Sequence, residues 1–187
     1  KIIKILPPNY VKAVKSIYHA VITTQYWPTF FKTSLMIFIP KPNKDHSDPL
    51  NYRPISLLEI LAKILEKIIT NRLLYYLEFN NLLSKSQFGF RPGRSTAHSL
   101  YFIMETMNEL RKQNKSALIS TRDISKAFDT VWFPGLLYKL KNHFNLCDHF
   151  ISLVHSYITN RIIIPCIQGK KGPSFTPAAG VPQGSCL

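Results

Sequence analysis

Residues 119–129 read ISTRDISKAFD, a segment that leads into an acid and then into a turn with an aromatic residue. Residues 116–121 are predicted to form a short strand that ends just before Asp123. A carboxylate at the end of a strand projects over the sheet, where its oxygens can bind Mg²⁺. Phe128 can return to the same pocket if the chain turns after the strand. Spacing alone also allows a plainer interpretation, in which Asp123 is a cap or a surface residue.

Apolar periodicity predicts the elements on either side of this segment. Ser56 followed by Glu59 resembles a capping box, which predicts that a helix begins at about residue 57. The sequence predicts helices at 9–26, 57–78, 100–110, 135–141 and 146–157, a strand at 35–39, and a hairpin of 161–168 with 174–177 across residues 169–172.

The composition indicates a globular chain with a polyanionic partner. Lys and Arg number 24 against 10 Asp and Glu, giving a formal net charge of +14, which favours nucleic acid over an ordinary basic surface. Cys147, Cys166 and Cys186 are too widely spaced for a zinc site or a disulfide framework, which fits a reducing, intracellular setting. The apolar runs are far shorter than the roughly 20 residues of a membrane span, so no membrane partner is expected.

Several polar residues lie in loops rich in proline or glycine. Lys41, Arg53, Arg91 and Arg94 are loop cations, and cations held by rigid turns suit phosphate binding, although solvated charge is the default for any one of them. Pro182-Gln183-Gly184 places a side-chain amide beside a flexible turn, where it can contact a flat ligand.

Five motifs in this order resemble the successive motifs of reverse transcriptases from non-LTR retrotransposons, closest to the Jockey type of LINE element. The motifs are Ile39-Pro40-Lys41-Pro42, Asn51-Tyr52-Arg53-Pro54-Ile55-Ser56-Leu57, Gln87-Phe88-Gly89-Phe90-Arg91, Asp123-Ile124-Ser125-Lys126-Ala127-Phe128-Asp129 and Gly180-Val181-Pro182-Gln183-Gly184-Ser185. A group II intron maturase is the nearest enzymatic alternative, but Trp132 after Asp129 and the Tyr52–Leu57 segment fit the LINE pattern better.

The resemblance implies an α+β fold of the right-hand polymerase type. Residues 1–34 are then a segment that precedes the polymerase motifs, residues 35–115 form the fingers, and residues 116–187 form a partial palm, incomplete at its C-terminus. The implied activity is RNA-directed DNA polymerisation with two Mg²⁺ ions in the full-length protein, on an RNA template, a DNA primer and dNTPs. The family also implies a nuclear location. The oligomeric state is not indicated.

The resemblance also assigns roles to individual residues. Asp123 matches the first catalytic, metal-binding aspartate, and Phe128 matches the aromatic that excludes a ribose 2′-hydroxyl, with a core aromatic as the plain alternative. The remaining nucleotide-binding positions are Lys41, Arg53, Lys126, Ala127, Gln183 and Gly184, and the template-binding positions are Arg91 and Arg94.

Two departures from the family pattern bear on activity. Arg122 stands where the family has an apolar strand residue, beside the catalytic carboxylate. The Asp-Asp turn and the thumb of the family do not occur in these 187 residues, and one carboxylate cannot hold two Mg²⁺ ions. The isolated chain is therefore predicted to be an inactive piece of a polymerase. A non-catalytic, basic nucleic-acid-binding relic and a basic protein with no nucleic-acid role remain as alternatives.

Overall fold

The computed structural model describes residues 6–187, which form a mixed α and β structure with a four-stranded sheet. The contacts divide the chain into two compact units. The first unit combines the residues up to Thr70 with Lys126–Leu187, and the second comprises Asn71–Ser125. The described residues are thus mixed α and β, in agreement with the predicted class.

The sheet belongs to the first unit. Strands β1 (Thr33–Pro40) and β2 (Tyr52–Leu58) are antiparallel, β3 (Ile162–Ile167) runs parallel to β1 on its other side, and β4 (Lys170–Lys171) is antiparallel to β3. The strand order is β2-β1-β3-β4. Since β2 is an edge strand, it can accommodate Pro54, which has no N–H to donate to a neighbour.

Helices of the first unit bury the apolar core. They are α1 (Pro8–Thr24), α2 (Thr29–Lys32), the first half of α3 (Ile60–Phe79), α5 (Phe133–Asn142) and α6 (Asp148–Ile158). Trp27 is fully buried and meets the Tyr157 ring edge-on with 4.8 Å between centroids. The other core residues are Tyr18, Val21, Phe31, Ala62, Leu65, Ile69, Leu140, Leu153, Val154 and Ile158.

The second unit consists of the end of α3, a loop over residues 80–95, helix α4 (Thr96–Lys112) and a stretch without regular structure up to Ser125. A capping box begins α4: the Ser95 side chain accepts from the His98 N–H, and the Ser95 N–H donates to the His98 ring. The positive charges of Arg111 and Lys112 in the last turn stabilise α4, because they lie near the negative end of the helix dipole.

Most of the predicted elements are confirmed with small shifts at their ends. Helices α1, α4, α5 and α6 and strand β1 cover the segments that the periodicity indicated. The helix predicted at 57–78 is confirmed only from Ile60 onwards. Its predicted start is wrong: Ser56 lies in β2, and its N–H donates to a carbonyl far along the chain rather than capping a helix.

Two further predictions need correction. The strand predicted at 116–121 is wrong, because these residues have no regular structure and no strand of the described residues pairs with them, and an unpaired strand leaves its backbone polar groups without partners. The predicted hairpin forms, but its turn is tighter. It centres on Gln168 and Gly169, both at positive φ, as type I′ hairpin turns require. Beyond β4, the return arm contacts β3 where the Gly172 N–H donates to the Pro165 carbonyl and where Phe175 bridges Ile163.

Candidate nucleotide-binding site

The loop Gly180–Ser185 is hydrogen-bonded to two other segments of the first unit. The Gly180 N–H donates to the Val131 carbonyl over 2.9 Å, and the Val181 N–H donates to the Phe128 carbonyl over 2.7 Å. On the other side, the Gln183 carbonyl accepts from the Ser56 N–H of β2 over 2.8 Å. The loop therefore joins the turn after Lys126 to the edge of the sheet.

Two glycines make this close approach possible. A β-carbon on Gly180 would lie 2.8 Å from the Asp129 carbonyl oxygen, and one on Gly184 would lie 2.7 Å from the Ser56 carbonyl oxygen. Both residues also have positive φ, at 89° and 121°, a region that side-chain-bearing residues avoid. The glycine of the Gln183-Gly184 pair is thus required by packing against β2.

The turn that carries Phe128 is tight and leaves the ring accessible. Lys126 adopts a positive φ of 53°, and its carbonyl accepts from the N–H groups of Asp129 and Thr130. Phe128 is 41% exposed, so it is not a core residue. Ala127, between these two residues, is exposed as well. The predicted roles of Lys126, Ala127 and Phe128 towards a nucleotide stay predictions, and they lie together on one turn.

Lys41 and Arg53 lie at one end of the β1–β2 hairpin. The prediction that Arg53 lies in a loop is wrong: it lies in β2, where it pairs with Ile39 across the strands, and it is exposed. Lys41 follows β1 directly; its N–H donates to the Asn51 carbonyl and its ammonium donates to the Leu50 carbonyl, both over 2.8 Å. Arg53 precedes Ser56 by three residues, about 10 Å along the strand. Their triphosphate-binding role stays a prediction.

Beside the loop lies a cavity of about 270 Å³ within the first unit. Its lining includes the buried Arg161, the acid Asp129, and the apolar Met36, Ile163 and Phe175. Arg161 is 2% exposed, and its Nη2 atom has no hydrogen-bond partner among the described residues. An unsatisfied buried donor is costly. Arg161 and Asp129 are two charged residues in the lining of this cavity, and the motif pattern did not indicate the presence of Arg161 there.

Asp123 lies in the second unit, in the exposed stretch without regular structure. Arg122, its neighbour, is exposed too. Within residues 6–187, no group of three or more acidic, histidine or cysteine side chains could hold a metal ion. The described residues therefore do not themselves form a Mg²⁺ centre, and the role of Asp123 as a metal ligand stays a prediction.

Arg91, a predicted template contact, is engaged within the second unit. Its Nε and Nη2 donate to the two Glu78 carboxylate oxygens over 2.8 and 2.6 Å, and its Nη1 donates to the Ser84 carbonyl over 2.6 Å. Its side chain is 7% exposed. Arg94 donates to the Lys85 carbonyl and lies over the Phe88 ring at 5.4 Å. These arginines shape the loop, and their contact with template stays a prediction.

Sequence reasoning missed Glu66, which is fully buried on α3. The Tyr157 hydroxyl donates to its Oε1 over 3.1 Å, and the Ser185 hydroxyl donates to its Oε2 over 2.9 Å. Burial raises the pKa of Tyr157 well above its usual value. The sequence did contain a signal for this residue. Glu66 follows the core residue Ala62 by four positions and so lies on the buried face of α3, where an apolar residue is expected instead of an acid.

The comparisons with known proteins identify the family. The model of the family "Reverse transcriptase (RNA-dependent DNA polymerase)" matches residues 39–187, and the chain belongs to this family. It is 36% identical over 185 residues to the RNA-directed DNA polymerase from mobile element jockey of Drosophila melanogaster, across 99% of this chain and 20% of that protein.

Further relatives come from the same class of mobile element. The chain is 35% identical to the jockey polymerase of Drosophila funebris and 32% identical to the probable RNA-directed DNA polymerase from transposon X-element of Drosophila melanogaster, each over 99% of this chain and 20% of the relative. The chain thus spans about a fifth of the length of these relatives. The resemblance predicted from the motifs is confirmed.

No helix among the described residues is long and apolar enough to cross a membrane.

Replacing Gly184 by alanine is expected to release the loop from β2. The new β-carbon would overlap the Ser56 carbonyl oxygen at a φ of 121°, and a side chain held at such a φ costs roughly 1–3 kcal/mol. Amide hydrogen exchange of Ser56 and Val181, measured by NMR, should therefore become faster. Gly89→Ala is the control, since a β-carbon there meets nothing within 4 Å. Equal exchange in the two variants would contradict the packing role of Gly184.

The Arg91–Glu78 pair is expected to give the loop over residues 80–95 a stability that is lost in acid. The hydrogen bonds from Arg91 lower the pKa of Glu78, so the stabilisation is present above the unfolded-state pKa of Glu78 and is lost as pH falls through its lower folded-state pKa. The difference in unfolding free energy between the native chain and Glu78→Gln should be constant near neutral pH and shrink at acid pH. Glu105→Gln, at an exposed position of α4, should show no such trend. A pH-independent difference for Glu78→Gln would exclude the ion pair as its cause.

Proposed function

We propose that this chain is part of the polymerase domain of a non-LTR retrotransposon protein, which as a whole copies an RNA template into DNA from a DNA primer and dNTPs. One observation carries the proposal: the turn with Phe128 and the loop with Gln183 are hydrogen-bonded to each other over 2.7 Å. The same loop is bonded to the strand that bears Arg53. Three segments predicted to bind the nucleotide therefore belong to one packed assembly.

In this proposal the incoming nucleotide is bound by groups of different chemistry. The exposed Phe128 ring lies under the sugar, and the Gln183 side chain contacts the nascent base pair. The ammonium of Lys41 uses one of its three donors on the Leu50 carbonyl, which leaves two for phosphate oxygens. Arg53 offers a planar fork that matches a phosphate group in two hydrogen bonds.

The larger organisation is also a proposal. Residues 35–115 form the fingers, and residues 116–187 begin the palm of a right-hand polymerase. Mg²⁺ is the cofactor of the whole protein, in which Asp123 supplies one carboxylate and other parts of that protein supply the further ligands that residues 6–187 do not bring together. Arg94 and the loop shaped by Arg91 face the RNA template.

Replacing Phe128 by alanine in the whole polymerase is expected to weaken its discrimination against ribonucleotides. Without the ring, nothing at this position collides with a 2′-hydroxyl, and exclusion of one small group is worth about 10–200-fold. Primer extension with dNTPs and with rNTPs gives the ratio of kcat/KM values, which should fall by at least about tenfold. Phe30→Ala, at an exposed phenylalanine of α2, is the matched control. An unchanged ratio for Phe128→Ala would refute its place under the sugar.

The isolated chain is expected to bind RNA without extending a primer. Its formal charge of +14 predicts binding through phosphate contacts, and therefore an affinity that falls steeply as salt rises. Incorporation of dNTP by the purified chain would contradict the first expectation, and salt-independent binding would contradict the second. RNA binding by a whole protein that lacks polymerase activity would favour the alternative of a non-catalytic RNA-binding relic.

A further inference from the structure

Glu66 lies in the interior of the first unit, on a helix that carries none of the five motifs. We propose that Glu66 is a positioning residue for the Gly180–Ser185 loop, whose carboxylate holds the C-terminal end of the loop so that Gln183 stays bonded to β2. The contacts of Glu66 that support this proposal do not depend on what the chain does. Its importance for nucleotide binding rests on the proposed function.

The carboxylate of Glu66 accepts hydrogen bonds mainly from the last residue of the loop and from the residue that follows it. Its Oε2 accepts from the Ser185 hydroxyl over 2.9 Å and from the Cys186 N–H over 2.8 Å. Its Oε1 accepts from Tyr157, whose hydroxyl also lies 2.5 Å from that of Ser185. A buried carboxylate is tolerated only when such donors surround it, so the loop end and Glu66 stabilise each other.

A second contact holds the same segment one helical turn further along α3. The Thr70 hydroxyl oxygen lies 2.8 Å from the Cys186 carbonyl oxygen and 2.8 Å from the carbonyl oxygen of Glu66 in its own helix, and its single proton is shared between these two acceptors. Glu66 and Thr70 therefore contact the backbone N–H and the backbone C=O of the same residue, Cys186. Because residues four apart lie on the same face of a helix, α3 presents both groups to the loop end together.

These contacts lie close in sequence to the functional part of the loop. Ser185 is two residues from Gln183, whose carbonyl accepts from the Ser56 N–H of β2. Strand β2 ends at Leu58 and α3 begins at Ile60, so one continuous segment binds the loop at both places. The reach of the Glu66 side chain therefore determines how far the loop lies from β2.

Tyr157 orients the carboxylate from the opposite side. Its ring is buried against Trp27, and its pKa is raised chiefly by burial. The hydroxyl thus remains protonated at physiological pH and acts as a donor throughout. The network does not depend on a titration of Tyr157.

Two conservative variants of Glu66 separate reach from charge. Glu66→Asp keeps the charge but withdraws the oxygens by about 1.5 Å, one carbon–carbon bond. Glu66→Gln loses the charge but keeps the reach, and its amide oxygen can still accept from Ser185 and Cys186 while its NH₂ faces the Tyr157 oxygen. Glu59→Asp is the matched control, because Glu59 is exposed just before α3.

Hydrogen exchange at the Ser56 and Val181 amides of the chain reports whether the loop is docked. Glu66→Asp should speed exchange at both amides by about tenfold, the loss of roughly one hydrogen bond. Glu66→Gln should change it by less than about threefold, and Glu59→Asp should leave it unchanged. Should Glu66→Asp fail to fold, Ser185→Ala tests the same contact by removing one donor, with faster exchange expected at the same amides.

Two results would overturn the proposal. The first is exchange in Glu66→Asp that equals that of the Glu59→Asp control. The second is a uniform acceleration that also includes the amides of β1 and α6, because Glu66 would then serve the stability of the whole unit rather than the position of the loop.

Kinetics of the whole polymerase distinguish this proposal from the proposed function. Glu66→Asp is expected to raise the KM for dNTP about tenfold with a smaller change in kcat, and Glu66→Gln should restore the KM to within about threefold, since a misplaced loop weakens nucleotide binding. Faster exchange combined with an unchanged KM would uphold the positioning role and refute the assignment of this loop to the nucleotide.

Discussion

Backbone contacts around the Gly180–Ser185 loop are so close that two of its positions have no room for a β-carbon. The loop packs against the carbonyl of Asp129 on one side and that of Ser56 on the other, and it is bonded to both neighbouring segments. Since packed segments at this distance cannot shift independently, the turn with Phe128, the edge strand and the loop are held as one rigid assembly. The nucleotide-binding geometry proposed for this chain depends on that rigidity.

Net charge is only a coarse guide to the surface that meets a polyanion. Lys32 and Arg161 are buried in the first unit, where Arg161 lies 4.8 Å over the Tyr157 ring, and burial, with a smaller effect of Arg161, lowers the pKa of Lys32. Arg91 is committed to Glu78. The total of 24 basic residues therefore overstates the number of cations available to a polyanion. Arg53, which is exposed, and Lys41, which is partly exposed, are the candidates for phosphate contact at the end of the β1–β2 hairpin.

Apolar spacing predicted most of the helices, because helix formation depends on residues that are near in sequence. It did not predict the contacts of Ser56 and Glu66, because their partners are remote in sequence. Helices α1, α5 and α6 followed from apolar spacing, because each buries one face. Ser56 was misread as a cap, since its partner Gln183 lies far along the chain, and Glu66 was missed because its donors Ser185 and Cys186 are equally remote. By resemblance, the motifs predict which residues bind the nucleotide. The strand predicted at residues 116–121 does not form, because it has no neighbouring strand among the described residues.

The parallel pairing of β1 with β3 has a consequence for the order in which the protein folds. Hairpin partners β1 and β2 leave the ribosome together, whereas Thr33 pairs with Ile162, so the third strand follows on the order of ten seconds later at typical rates of translation. During this interval one edge of β1 is open to other chains, and long-range pairing is intrinsically slow. Nascent copies are therefore most prone to aggregation before β3 emerges, and a chaperone that covers this edge should improve the yield of folded protein.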